Sequence, residues 1–121
     1  MRVFLYAGQG SQFVGMGSDM YEAFPEYRET VDSIRLDFDH KKLMSEGPIE
    51  VLSDTVYTQP CYAVFAAGVT AVLEKNGIKP DAACGLSLGE YGALYAAGVW
   101  NTEEYIDIVS FRGRVMSDAV K

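Results

Sequence analysis

An α/β fold with a largely parallel sheet is the class this sequence predicts, on two observations. Gly85-Leu86-Ser87-Leu88-Gly89 sets a serine between glycines where a short, mostly apolar stretch, Asp81 to Cys84, gives way to a helical one, Glu90 to Ala97. Earlier in the chain, Gly8-Gln9-Gly10-Ser11-Gln12 follows a run rich in Val, Phe, Leu and Tyr, from Arg2 to Ala7. Two glycine loops at strand C-termini, with helical sequence between them, place a site along the carboxyl edge of a parallel sheet.

Each element follows from local signals. Arg2 to Ala7 reads as the first strand. A helix starts near Ser18, with Asp19 and Glu22 in its early turns, breaks at Pro25 and resumes toward Leu36. Lys41 to Glu46 fits a short helix, and Ile49 to Val56 an irregular region or one more helical turn. Thr58 is expected to cap a long helix, with Pro60 in its first turn and Gly77 at its end. Cys61 to Leu73 within that helix is the longest apolar run, short of the ~20 residues that span a bilayer, so it reads as buried. Asp81 to Cys84 is the second strand, and Glu90 to Ala97 the helix after the serine. No internal repeat or low-complexity segment is present.

The serine motif has the form of a nucleophile elbow. A sharp strand-to-helix turn strains the serine backbone, requires neighbours without bulk and leaves the hydroxyl exposed at a helix N-terminus. The first glycine loop can present several backbone N–H groups to an anion. It lacks the Lys-Ser/Thr pair of a P-loop and the third glycine of a dinucleotide fingerprint, which leaves nucleotide binding with little support. Helical spacing puts Arg112 in line with Tyr105, Ile108, Val115, Met116 and Ala119, an apolar stripe. An arginine there snorkels, pairs with an internal carboxylate or holds a ligand anion. Gly113 beside it allows another backbone to approach, while Arg114 points elsewhere, to solvent. His40, the single histidine, lies in the charged stretch Asp37 to Lys42 and reads as a solvated loop residue. Cys61 and Cys84 have no metal-ligand or disulfide spacing and read as buried free thiols.

From Gly85 to Val99 the sequence GLSLGEYGALYAAGV closely resembles the malonyl-CoA:acyl carrier protein transacylase family. Further resemblances follow in the family's order: Gly8-Gln9-Gly10-Ser11-Gln12 before Gly15-Met16-Gly17, Thr58-Gln59-Pro60 opening an apolar helix, and Phe111-Arg112-Gly113-Arg114-Val115-Met116 beyond the serine. The resemblance implies a hydrolase-like α/β core and Ser87 as nucleophile. It also implies an oxyanion hole from the Gln9 and Leu88 backbone N–H groups, and Arg112 as the ligand of the malonyl carboxylate. Leu86 and Gln59 become candidate pocket residues. Malonyl-CoA is then the substrate and acyl carrier protein the partner, without a metal or a permanently bound cofactor. Leu86 stands where many members carry a histidine and Ala7 where a proline is common, which affects acyl selectivity and loop rigidity rather than the serine chemistry.

At 121 residues the chain is less than half of the family's catalytic domain. Residues 1–121 are therefore expected to form its N-terminal portion, incomplete, without the small inserted subdomain and the histidine base, and inactive alone. Met1 close to the first strand favours a stand-alone protein over a synthase module. A sheet cut partway exposes strand edges and an apolar helix face, so oligomerisation of the fragment is an expectation. Ten basic against seventeen acidic side chains give a net charge of −7, which disfavours nucleic acid as a partner. With the run after Arg2 too short for a signal-peptide core, a cytoplasmic protein that does not insert in membranes is expected. Three alternatives stay open: a polyketide-type acyltransferase of other acyl specificity, a patatin-like serine hydrolase and a non-catalytic carrier-protein docking module.

Overall fold

The computed structural model describes residues 1–120. Strand β1 (Val3–Tyr6) leads into helices α1 (Ser18–Ala23), α2 (Pro25–Ser33), α3 (His40–Glu46), α4 (Ile49–Leu52) and α5 (Thr55–Lys75). Strand β2 (Ala82–Gly85) follows, then α6 (Leu88–Ala96) and α7 (Thr102–Ala119). The two strands pair in parallel, with Val3 opposite Ala82 and Tyr6 opposite Gly85. This is the α/β class with a small parallel sheet expected from the two glycine loops, both of which leave strand C-termini on the same edge.

Helix α5 is the centre of the helical layer, packed by α2 on one side and by α7 on another. It buries Cys61, Ala63, Val64 and Ala67 completely. By length and composition it could cross a bilayer, yet 67% of its most apolar window is buried within the fold. Its start differs from the sequence expectation. Asp54, not Thr58, is the N-cap and accepts the Val56 N–H. Thr58 sits one turn inside and donates its hydroxyl between the carbonyls of Leu52 and Asp54. Pro60 thus lies inside the helix rather than in its first turn, and costs it one backbone bond, at the Val56 carbonyl. At the other end Gly77 adopts φ 79°, and the Ile78 N–H closes on the Leu73 carbonyl at 2.8 Å, a glycine-dependent helix stop.

Helix α7 faces the core differently from the predicted stripe. It buries Tyr105, Ile106, Val109, Ser110 and Gly113, whereas Ile108, Val115 and Met116 are 37–49% exposed. Close approach of α5 sets this rotation: a Cβ on Gly113 would lie 3.1 Å from the Thr55 carbonyl oxygen. Arg112 is left at the margin, half-buried, and Arg114 is exposed. Asn101 and Glu104 form a reciprocal capping box at the start of α7, which fixes that end.

Two further expectations change. His40 is buried at 6% exposure, because Asp39 caps α3 at this point and turns the ring inward. Its Nε2 lies 3.2 Å from the Val31 carbonyl, an oxygen to which the ring can only donate. Cys61 is buried as expected, and burial pushes its thiol up to about 12. Cys84 instead is exposed. Alternate residues of β2 point to a face of the sheet that is exposed at Ala82 and Cys84. The same openness marks β1, where Leu5 is 77% exposed. An apolar groove of about 360 Å³ runs between β1 and α5, lined by Phe4, Tyr6, Phe13, Phe65 and Val69 among others.

Candidate active site

The elbow is built by backbone contact. Ser87 has φ 54° and ψ −110°, the only positive φ at a non-glycine position among the described residues, and strain of this kind is held only where the surroundings dictate it. They do so through the two flanking glycines. A Cβ on Gly85 would fall 2.1 Å from the Gly89 carbonyl oxygen, and one on Gly89 would fall 2.2 Å from that of Tyr6. The turn after β2 is thus pressed against the end of β1, with no room for a side chain on either side. Helix α6 starts at once, with Ser87 as its N-cap residue, so the serine stands at the positive end of the helix. Because φ is unfavourable for serine, Ser87→Gly is expected to raise stability. Relief of about 1–3 kcal/mol of strain outweighs the ~0.5–1 kcal/mol entropic cost of glycine, leaving a gain near 1 kcal/mol, measurable as a higher urea midpoint. A clear drop would show that the elbow stores no strain.

Four of the predicted residues meet in one hydrogen-bonded set. Arg112 Nη2 donates to Ser87 Oγ at 3.0 Å and Nη1 to Gln59 Oε1 at 2.9 Å. Gln59 Nε2 donates to Gln9 Oε1 at 3.3 Å, and Gln9 Nε2 to Thr55 Oγ1 at 3.0 Å. The glycine loop is shaped by its own polar groups: the Gly10 N–H donates to Gln12 Oε1, and Ser11 Oγ to the Gly8 carbonyl. It abuts the elbow where a Cβ on Gly8 would be 3.0 Å from the Leu86 carbonyl oxygen. Leu88 opens α6 with its side chain fully buried. As the first helical residue, its N–H has no partner within the helix. Leu86 is 77% exposed and takes no part in the hydrogen-bonded set.

Two residues that the sequence reading passed over support the arginine. The guanidinium carbon of Arg112 lies 5.2 Å from the centre of the Tyr91 ring, a cation–π contact. Tyr91 in turn stacks on Trp100, with ring centres 5.9 Å apart and planes 15° from parallel. Tyr91 falls four residues after Ser87, on the same face of α6. That spacing was the available signal, but an aromatic at helical spacing more often marks core. The buried His40 is engaged by α2, through the Val31 carbonyl, and plays no part in this set.

The sequence pattern of the acyl transferase domain matches residues 3–121. The chain belongs to the acyl transferase family. A polyketide biosynthesis malonyl CoA-acyl carrier protein transacylase of Bacillus velezensis is 41% identical over 122 residues, covering 98% of this chain and 41% of the relative. Among solved structures, malonyl CoA-acyl carrier protein transacylase of Clostridium perfringens superposes with a TM-score of 0.90 at 39% identity, over 98% of this chain and 38% of the other. A second is a malonyl-transacylase in complex with a type II polyketide synthase acyl-carrier protein, with a TM-score of 0.90, 37% identity, and coverage of 98% and 40%. This acyl transferase chain therefore spans about two-fifths of the length of the relatives it matches.

Proposed function

We propose that the protein transfers a malonyl group from malonyl-CoA to the phosphopantetheine thiol of an acyl carrier protein through a Ser87 ester. The observation that carries this is the pairing of a strained serine at the start of a helix with a guanidinium 3.0 Å away. A hydrolase acting on neutral esters has no use for a fixed cation beside its nucleophile, whereas an acyl group ending in a carboxylate does. Arginine's planar fork suits that carboxylate better than a lysine would.

In the first half-reaction Ser87 Oγ attacks the thioester carbonyl and gives up its proton to a base. The tetrahedral oxyanion is held by the backbone N–H groups of Gln9 and Leu88, each such donor worth about 3 kcal/mol in a transition state of this kind. Collapse expels the coenzyme A thiolate, which takes a proton from the base. The carrier thiol then attacks the Ser87 ester by the reverse sequence, and no bound cofactor enters either step. A serine hydroxyl needs that base, and with His40 occupied elsewhere it comes from outside residues 1–121. The 121-residue chain on its own is then inactive or nearly so, as an incomplete N-terminal portion of the catalytic domain. The carrier serves fatty acid or polyketide synthesis in the cytoplasm, and the exposed Leu86 leaves one wall of the acyl site apolar.

Intact mass of the protein expressed from its complete gene, before and after malonyl-CoA, tests the reading. The expected result is a gain of one malonyl group, mapped to the peptide carrying Ser87 and discharged by acyl carrier protein. Ester hydrolysis without a dischargeable adduct would move the assignment to a serine hydrolase. Carrier-protein binding without any adduct would move it to a docking module.

A further inference from the structure

Gln59 is the one polar residue of this site with no exposure at all, and it spends both ends of its amide on the residues around Ser87. Oε1 accepts from Arg112 Nη1 at 2.9 Å. Nε2 donates to Gln9 Oε1 at 3.3 Å and points a hydrogen at Met116 Sδ, also at 3.3 Å. Rotating the amide by half a turn would set NH₂ against the guanidinium and oxygen against the Gln9 oxygen, so its direction is fixed. The donors then run one way: Arg112 to Gln59, Gln59 to Gln9, Gln9 to Thr55. Hydrogen bonds aligned like this reinforce one another, and a buried member left unpaired is costly.

We propose that Gln59 is a positioning residue that fixes the guanidinium plane of Arg112 for an acyl carboxylate and couples it to the glycine loop through the Gln9 side chain. The proposal rests on the reading of Arg112 as the carboxylate ligand. A flexible arginine side chain loses rotamer freedom when it grips an anion, and support by Gln59 on one edge and Tyr91 on one face settles that orientation before the anion arrives. The link to Gln9 places the loop that carries one oxyanion donor under the control of the same buried amide. Carboxylate recognition and oxyanion-hole geometry thereby become one mechanical unit.

The chain carries its own reporter, because its single tryptophan, Trp100, stacks on the ring that underlies Arg112. Trp100 fluorescence is titrated with malonate and, in parallel, with acetate, which lacks the second carboxylate. Wild type is expected to respond to malonate at a concentration at least tenfold lower than to acetate. Gln59→Met keeps the volume and removes both polar contacts. Gln59→Glu keeps the shape, neutralises Arg112 with a protein carboxylate and sets oxygen against the Gln9 oxygen. Both are expected to bring the malonate preference below threefold while the far-UV circular dichroism stays unchanged, a loss that mere filling of space by Gln59 would not produce. Gln9→Leu, at an exposed position, cuts the same relay without altering the core and is expected to lower the preference about threefold, which keeps the idea testable if both Gln59 variants unfold. Folded Gln59→Met, or Gln9→Leu in its place, with the wild-type preference intact would overturn the positioning role and leave the transacylase reading standing. Wild type that does not distinguish malonate from acetate would remove the Arg112 assignment, and this inference with it.

Discussion

Gly89→Ala is expected to destabilise the chain by about 3 kcal/mol or more, although alanine at a helical position normally gains close to 1 kcal/mol over glycine. The decision lies in what the new methyl group meets. Its carbon would sit 2.2 Å from the Tyr6 carbonyl oxygen and 2.7 Å from that of Ala7. Both are backbone atoms of β1 and its exit, so neither can swing aside as a side chain would. Relief requires α6 to move off the sheet, which breaks the contact that holds Ser87 in its conformation. Overpacking of this kind costs 1–3 kcal/mol even where neighbours give way, and total stability is only about 5–15 kcal/mol. Gly92→Ala supplies the comparison, since its methyl group meets the Tyr6 ring at 2.5 Å, a side chain able to shift at the expense of its 2.7 Å hydrogen bond with Thr70. The urea midpoint should fall further for Gly89→Ala than for Gly92→Ala. Equal midpoints for Gly89→Ala and wild type would mean that the helix and β1 are not in contact there.

Ser87→Ala should abolish the covalent adduct and reduce malonyl transfer by a factor on the order of 10⁴–10⁶, the range seen when a serine nucleophile is deleted from a working site. Alanine meets the same positive φ as serine and removes only an oxygen, so the denaturation midpoint is expected to stay within about 0.5 kcal/mol of wild type. The two readouts together separate a chemical role from a structural one. Loss of transfer with unchanged stability assigns the chemistry to the hydroxyl. Residual transfer within tenfold of wild type would sink the acyl-enzyme mechanism, because no other step offers a covalent carrier. The measurement is steady-state transfer to acyl carrier protein by the product of the complete gene, alongside a urea melt of each variant.

How much of this was readable beforehand depended on whether the constraint was local. The elbow was legible because its demand is steric and written in five consecutive residues: no Cβ fits at Gly85 or Gly89. Both strands and the break at Pro25 were equally local. The buried face of α7 was not. Apolar residues lie on more than one side of that helix, and the side that packs was decided by the absence of a side chain at Gly113 facing α5, not by the longest stripe. His40 misled because its charged neighbours suggested solvent, while a helix that begins at His40 itself carried the ring inward. Thr58 has the look of a cap, yet Asp54 stands one turn earlier and takes that role. In the site, Ser87, Arg112 and Gln9 were anticipated as a set. The Tyr91–Trp100 stack was not, since only the folded arrangement of α6 and α7 brings a guanidinium over the ring.

The pairing of β1 with β2 also sets the order in which this molecule can come together. The hydrogen bond from the Arg2 N–H to Asp81 joins residues 79 apart in sequence, whereas α1 packs on α2, and α4 on α5, between neighbours along the chain. Closing so long a loop costs about 4 kcal/mol on the logarithmic scaling of chain entropy, and contacts of that span slow folding. Those helix pairs can form early, but the contact of Gly89 with Tyr6 that holds the Ser87 backbone forms only when β1 arrives beneath α6. A chain assembled in that order is helical before Ser87 is fixed, and a Ser87-directed label applied during refolding is expected to be a clock for the last step rather than the first.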